Sequence, residues 1–269
     1  MSQRNGAQVT SKTLTWVEQD ESLGVAEDLA YSTTLLRAVQ HSRIQGPIIR
    51  LYRPQPTVSF GQQDVRLAGY AAARQQSSAH GFTPTVRKVG GRAAAYHRGA
   101  IVIDHIQPED DAMIGFKSRF EHFGVLFTSV LTRLGVQAGV GEIPGEYCAG
   151  EYSVHGIVDA DRRIKLAGTA QRVVKGAWLF STSLVVEHGY SIRRVLTDVY
   201  QALGIDFDPQ TAGAVEDAAP GVTVEDVLDE LQWEYEQEFL SGGLNGADTF
   251  TFAPILWDDL LERVPTGSD

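Results

Sequence analysis

The chain has one cysteine, Cys148, and two methionines in 269 residues. A single thiol excludes an intrachain disulfide framework, and no metal site is read from the sequence. Uninterrupted apolar runs stay below the roughly 18 residues that a membrane-spanning helix requires. The start, Met1-Ser2-Gln3-Arg4-Asn5, lacks the apolar stretch of a signal peptide, so a cytoplasmic location without membrane contact is expected. Basic residues are scarce toward the end. Residues 201–269 hold 16 Asp or Glu against Arg263 alone, a balance of −15, which leaves residues 1–200 at +4 within a net charge of −11. That overall acidity argues against nonspecific nucleic-acid binding, while the modestly basic body suits an acidic carrier protein or a phosphorylated group. There is no internal repeat, and the one biased stretch, rich in Ala, Gly, Asp and Pro at 208–221, reads as a linker.

What is present suffices for a full hydrophobic core: 43% of the residues are apolar. The spacing predicts strands at 14–17, 48–52 and 57–60, a helix over 23–39, and another over 67–75. Strands follow at 85–89 and 100–105. Phe116, Phe120, Phe123, Phe127, Val130, Leu131 and Leu134 recur in steps of three and four, which predicts a helix over 115–134 with one buried aromatic face. Three strands at 152–158, 163–174 and 177–186 form a meander with turns at Asp159-Ala160-Asp161 and Lys175-Gly176, and helices follow at 192–203 and 224–239. Hairpin-linked strands with packed helices indicate an α+β fold. The expected division is a catalytic domain over 1–203 and an acidic, partly helical extension over 204–269, packed on it or trailing from it.

Cys148 sits in Pro144-Gly145-Glu146-Tyr147-Cys148-Ala149-Gly150-Glu151-Tyr152, with Lys165-Leu166-Ala167-Gly168-Thr169-Ala170-Gln171 soon after. A lone cysteine is more often a small buried hydrophobe than a nucleophile. Here, small residues such as Gly150 follow it, where backbone N–H groups can approach an oxyanion, and a nearby lysine favours the thiolate that attacks acyl carbon. Lys165 can act as a base if neutral or hold a carbonyl oxygen if charged. The small Gly168 and Ala170, with Ala93-Ala94-Ala95 after the glycine pair, allow a narrow slot for an acyl chain. Burying about six methylenes there would contribute about 5 kcal/mol, enough to make chain length matter. Arg87 and Arg92 flank Gly90-Gly91, where N–H groups and guanidinium forks can hold a phosphate; pairing with carboxylates is the plain alternative.

Three segments in this order, Arg87-Lys88-Val89-Gly90-Gly91-Arg92-Ala93, the Cys148 segment with Tyr152, and Lys165-x-x-Gly168-x-Ala170-Gln171, make the chain resemble the family of lipoate-protein ligases and octanoyltransferases, with biotin-protein ligases more distant. Ala26-Glu27 and Phe60-Gly61 are weaker likenesses, and the whole spans about residues 14–200. The second segment resembles the branch that moves octanoyl or lipoyl groups between proteins. Departures are Tyr96-His97 where many members have His and Asp, and Asp64 where many have Gln; they count against a catalytic role for His97, which reads instead as structural or solvent-facing. The resemblance implies an acyltransferase of lipoyl assembly that works through a Cys148 thioester with no cofactor. Its implied partners are an acyl-loaded carrier, either acyl carrier protein or the glycine-cleavage carrier protein, and lipoyl domains of 2-oxoacid dehydrogenases. The rivals are an ATP-dependent lipoate-protein ligase, in which Cys148 is incidental, and a non-enzymatic module that binds acyl groups or carriers.

Overall fold

The computed structural model describes residues 12–87, 90–159, 162–240 and 250–267. In chain order the elements are β1 (Lys12–Gln19), α1 (Val25–Gln40), β2 (Ile48–Tyr52), β3 (Thr57–Phe60), α2 (Tyr70–Ala79), β4 (Thr83–Val86), β5 (Ala94–Tyr96), β6 (Ala100–Pro108), α3 (Phe116–Arg133), β7 (Ala138–Val140), β8 (Val154–Val158), β9 (Arg162–Val174), β10 (Ala177–Val185), α4 (Gly189–Leu203), α5 (Val215–Ala218), α6 (Val224–Leu240), β11 (Phe250–Pro254) and α7 (Trp257–Arg263). Eight strands form one sheet in the order β11-β1-β2-β6-β10-β9-β8-β7, and β4-β3-β5 form a second. Pairing is antiparallel from β2 to β7 and parallel only at β11-β1-β2 in the large sheet. The fold is therefore α+β with mixed, largely antiparallel sheets, as the sequence predicts.

Strand alternation separates the core into layers. On β10, Trp178 and Phe180 pack with Phe123, Phe127 and Val130 of α3 and with Val227 and Leu231 of α6. Leu179, between them, packs instead with Leu35 and Leu36 of α1 and Leu260 of α7. The small sheet builds a third cluster with α2 and α4, and Cys148 packs against its edge. Beneath α1 lies a charged tie: the fully buried Arg50 of β2 pairs with Asp104 of β6 at 3.0 Å, and Asp104 also accepts hydrogen bonds from Ser32 of α1 and Ser181 of β10, both 2.7 Å. Among the described residues no helix is long and apolar enough to cross a membrane.

Several sequence expectations shift. The helix expected over 67–75 runs over Tyr70–Ala79, because a 3₁₀ turn at Asp64–Arg66 closes on Leu67 first. The strand expected at 85–89 is β4 at Thr83–Val86, with Lys88 and Val89 outside the described residues, as are Ala160 and Asp161 of the expected turn. Short strands β5 and β7, three residues each, carry too little periodicity to be read. The segment 208–221 is not a linker: Ala212, Ala214 and Val215 are fully buried, and Ala212 bridges Lys165. Its small residues serve close packing rather than flexibility.

One buried histidine carries a testable pH dependence. His105 lies in edge-on and tilted contact with Trp178, Phe123, Tyr235 and Phe239, ring centroids 4.9 to 5.9 Å away, and burial lowers its pKa from 6.5 to about 3. Below about pH 6.5 the unfolded chain takes a proton here that the folded chain refuses until near pH 3. The stability from this site is thus complete above pH 6.5 and falls away on acidification. By pH 5 the loss is about 2 kcal/mol. His105→Phe should flatten the stability profile between pH 7 and pH 5 in urea titrations; an unchanged slope would remove His105 as its source.

Candidate active site

The site forms where two loops and one strand meet. The loop between β7 and β8 carries Cys148, the loop between β4 and β5 carries Arg87 and Gly90-Gly91-Arg92, and β9 carries Lys165. Cys148 adopts the left-handed conformation, φ 43°, which is uncommon for a residue with a side chain and needs surrounding contacts to hold it. Those contacts reach every polar atom of the residue. Its N–H donates to Tyr200 Oη at 2.7 Å, its carbonyl accepts from Lys165 Nζ at 2.9 Å, and its Sγ receives the Arg92 N–H at 3.3 Å and Arg87 Nη2 at 3.5 Å. Two donors, one of them a guanidinium, therefore converge on the sulfur.

The double-glycine loop owes its shape to close approach. Gly91 has φ 98°, and a Cβ on it would lie 2.7 Å from Cys148 Sγ and 2.8 Å from Arg87 Nη2. Its carbonyl presses on Gly61, where a Cβ would stand 1.8 Å from that oxygen, which accounts for the Phe60-Gly61 likeness. Gly90 is exposed, and its carbonyl accepts from Arg87 Nε at 3.2 Å. The Arg87 guanidinium also binds the carbonyls of Ser59 and Arg92, so it braces the loop rather than reaching outward. Arg92 pairs with the buried Asp64 at 3.2 Å, and Asp64 in turn accepts the Gly61 N–H at 2.8 Å. Gly91→Ala should slow Cys148 acylation on the order of 10²-fold, since a side chain there displaces the thiol by about an ångström. Acylation rate and melting temperature measured together test this; a normal rate would mean the sulfur does not depend on the glycine.

Lys165 is almost wholly buried. Its ammonium donates to the carbonyls of Tyr147 (3.1 Å) and Cys148, forms an ion pair with Glu146 at 3.0 Å, and lies 4.9 Å from the Tyr147 ring centre. Two backbone carbonyls accept hydrogen bonds from the amine, and a carboxylate oxygen lies within ion-pair distance of it. Burial pushes the Tyr147 and Tyr200 phenols well above their ordinary range, so both stay neutral. Gly168 and Ala170 follow on β9 opposite Ser183 and Ser181, and a Cβ on Gly168 would meet Lys165 Cε at 3.5 Å.

Of the residues singled out from sequence, Cys148, Lys165, Arg87, Gly91 and Arg92 meet directly, and the buried Ala93 joins through its carbonyl, which accepts from Tyr200 Oη at 2.9 Å. Gly150 lies in the same loop, but its N–H is directed to Glu146 Oε1 at 3.2 Å and not toward the sulfur. Gly90 and Ala170 lie at the margin. His97 stands apart, with its ring held between the His188 carbonyl and the Gly99 N–H. Sequence reasoning missed Tyr200, Glu146 and the role of Asp64. Tyr200 gives no motif signal; Glu146 gives one only as an acidic residue two places before the cysteine.

Residues 25–235 match the lipoyl protein ligase A/B catalytic domain. The chain belongs to that family. Within it, the chain is 29% identical over 195 residues to an octanoyl-[GcvH]:protein N-octanoyltransferase of Exiguobacterium sibiricum, covering 68% of this chain and 69% of that protein. It is 27% identical over 213 residues to a protein of the same name from another Exiguobacterium, covering 75% and 73%. Among solved structures, lipoate-protein ligase A bound with ATP aligns at a TM-score of 0.64 and 20% identity over 94% of this chain and 93% of that one. A bi-partite lipoate protein ligase from Thermoplasma acidophilum aligns at 0.65 and 19%, over 94% and 90%. These structures share the lipoyl ligase fold with this chain.

Proposed function

We propose that this family member is an acyltransferase that moves an octanoyl group from a GcvH-type carrier to the lysine of a lipoyl domain through a thioester on Cys148. The observation that carries the reading is the cysteine itself: a strained, four-way-held residue whose sulfur faces two donors while Lys165 grips its carbonyl. A merely buried cysteine needs none of this. The Cys148 sulfur attacks the acyl carbonyl carbon, a C–S bond forms, and the bond to the donor's nitrogen breaks as that nitrogen takes up the proton the thiol gave up. The neutral amine of the accepting lysine then attacks the thioester, the C–N bond forms, the C–S bond breaks, and the proton the amine loses returns the departing thiolate to the thiol. In this reading the Lys165 ammonium stabilises the acyl carbonyl oxygen as charge grows on it. The reaction has no step that calls for a cofactor, and both protein substrates are compatible with a cytoplasmic enzyme.

The expected behaviour is octanoyl transfer from an octanoyl-loaded carrier to a lipoyl domain without nucleotide, followed by gel shift or mass. Free octanoate with ATP should give no product. Dependence on ATP and a free fatty acid would replace this reading with that of a ligase.

A further inference from the structure

Glu146 is a buried charge to which no motif assigns a role. Its side chain has no exposure, and it lies two residues before Cys148. The two carboxylate oxygens do different work. Oε1 accepts from the N–H groups of Ile143 (3.3 Å) and Gly150 (3.2 Å) and from Ser153 Oγ (2.9 Å), so it ties together both sides of the turn that carries the thiol. Oε2 has no hydrogen bond among the described residues and meets only the Lys165 ammonium, 3.0 Å away as an ion pair. Lys165 hydrogen-bonds to the Tyr147 and Cys148 carbonyls, whereas its contact with Oε2 lacks hydrogen-bond geometry. The carboxylate is anchored to the turn through Oε1 independently of that contact.

We propose that Glu146 is a positioning residue of the transfer reaction. Resting on the thioester reading above, it holds Lys165 as an ammonium against the Cys148 turn, where the acyl carbonyl oxygen meets it when substrate arrives. Glu146 itself touches no reacting atom; it acts through Lys165.

A double-mutant cycle on single-turnover acylation tests this, with octanoyl-loaded GcvH as donor and intact mass as readout. Glu146→Gln keeps an oxygen for the three donors at Oε1 but removes the charge. It should lower the maximal acylation rate on the order of 10²-fold while leaving the half-saturating carrier concentration nearly unchanged. Lys165→Met should lower the rate further, and the double variant should be no slower than Lys165→Met alone. Losses that multiply in the double variant, or a Glu146→Gln enzyme that acylates at the wild-type rate, would overturn the proposal. If Lys165→Met does not fold, Glu146→Asp decides: recovery of about tenfold over Glu146→Gln supports a role through charge, and equal rates contradict it. A wild-type protein that forms no thioester would defeat the underlying reading and this one with it, whereas a multiplicative cycle on a working enzyme defeats this one alone.

Discussion

Cys148→Ser should keep its fold and lose acyl transfer by on the order of 10³-fold or more. The substitution removes one sulfur and leaves the backbone contacts to Tyr200 and Lys165 in place, so the melting temperature should move little. A serine hydroxyl is far less ionised than a thiol, and the donors around it, the Arg92 N–H and Arg87, supply no base to deprotonate it. Single-turnover rates with melting curves on the same samples separate the two effects. A serine enzyme of near-normal rate would remove covalent catalysis by this residue.

Lys165→Ala should be damaging in two distinct ways. The lysine is both the cation beside the nucleophile's carbonyl and the counter-charge of the fully buried Glu146. Removing it leaves that carboxylate unpaired in the interior, a change that destabilises by about 3–5 kcal/mol. For a domain of this size the melting temperature should fall by roughly 6–20 °C. Transfer should fall as well, even at temperatures where the variant is folded, because in the proposed mechanism the acyl carbonyl oxygen loses its charged partner. Calorimetry and acylation at low temperature test the two parts. A variant as stable as the wild type would show that the ion pair contributes nothing to the fold.

The sequence carries the local features of this fold well and the long-range ones poorly. The aromatic stripe of α3, the meander β8-β9-β10 and the three ordered motifs are each contiguous or periodic, so their residues are visible side by side. Phe123 and Phe127 are indeed buried, while Phe116, at the helix start, is left half-exposed. What the motifs do to one another is another matter. Arg87 reads as a free guanidinium for a phosphate, yet it bonds to carbonyls of Ser59 and Arg92, one of them 28 residues away. Tyr200 lies 52 residues beyond Cys148 on a helix whose pattern signals only core, and it bolts the cysteine to Ala93. Glu146 stands in plain view next to the motif, but its worth depends on a lysine brought to it by the β8-β9 pairing. The Ala/Gly-rich segment 208–221 misleads for a related reason, since composition alone does not separate small residues chosen for flexibility from small residues chosen for tight packing against β9.

The most direct test of the account follows the mass of the intact protein after mixing with octanoyl-loaded GcvH in the absence of ATP. One octanoyl adduct should appear on the wild-type chain, disappear on hydroxylamine treatment, pass to an added lipoyl domain, and be missing from Cys148→Ser. A wild-type chain that transfers octanoyl at full rate without ever carrying it, or that carries it on a residue other than Cys148, would contradict the central claim.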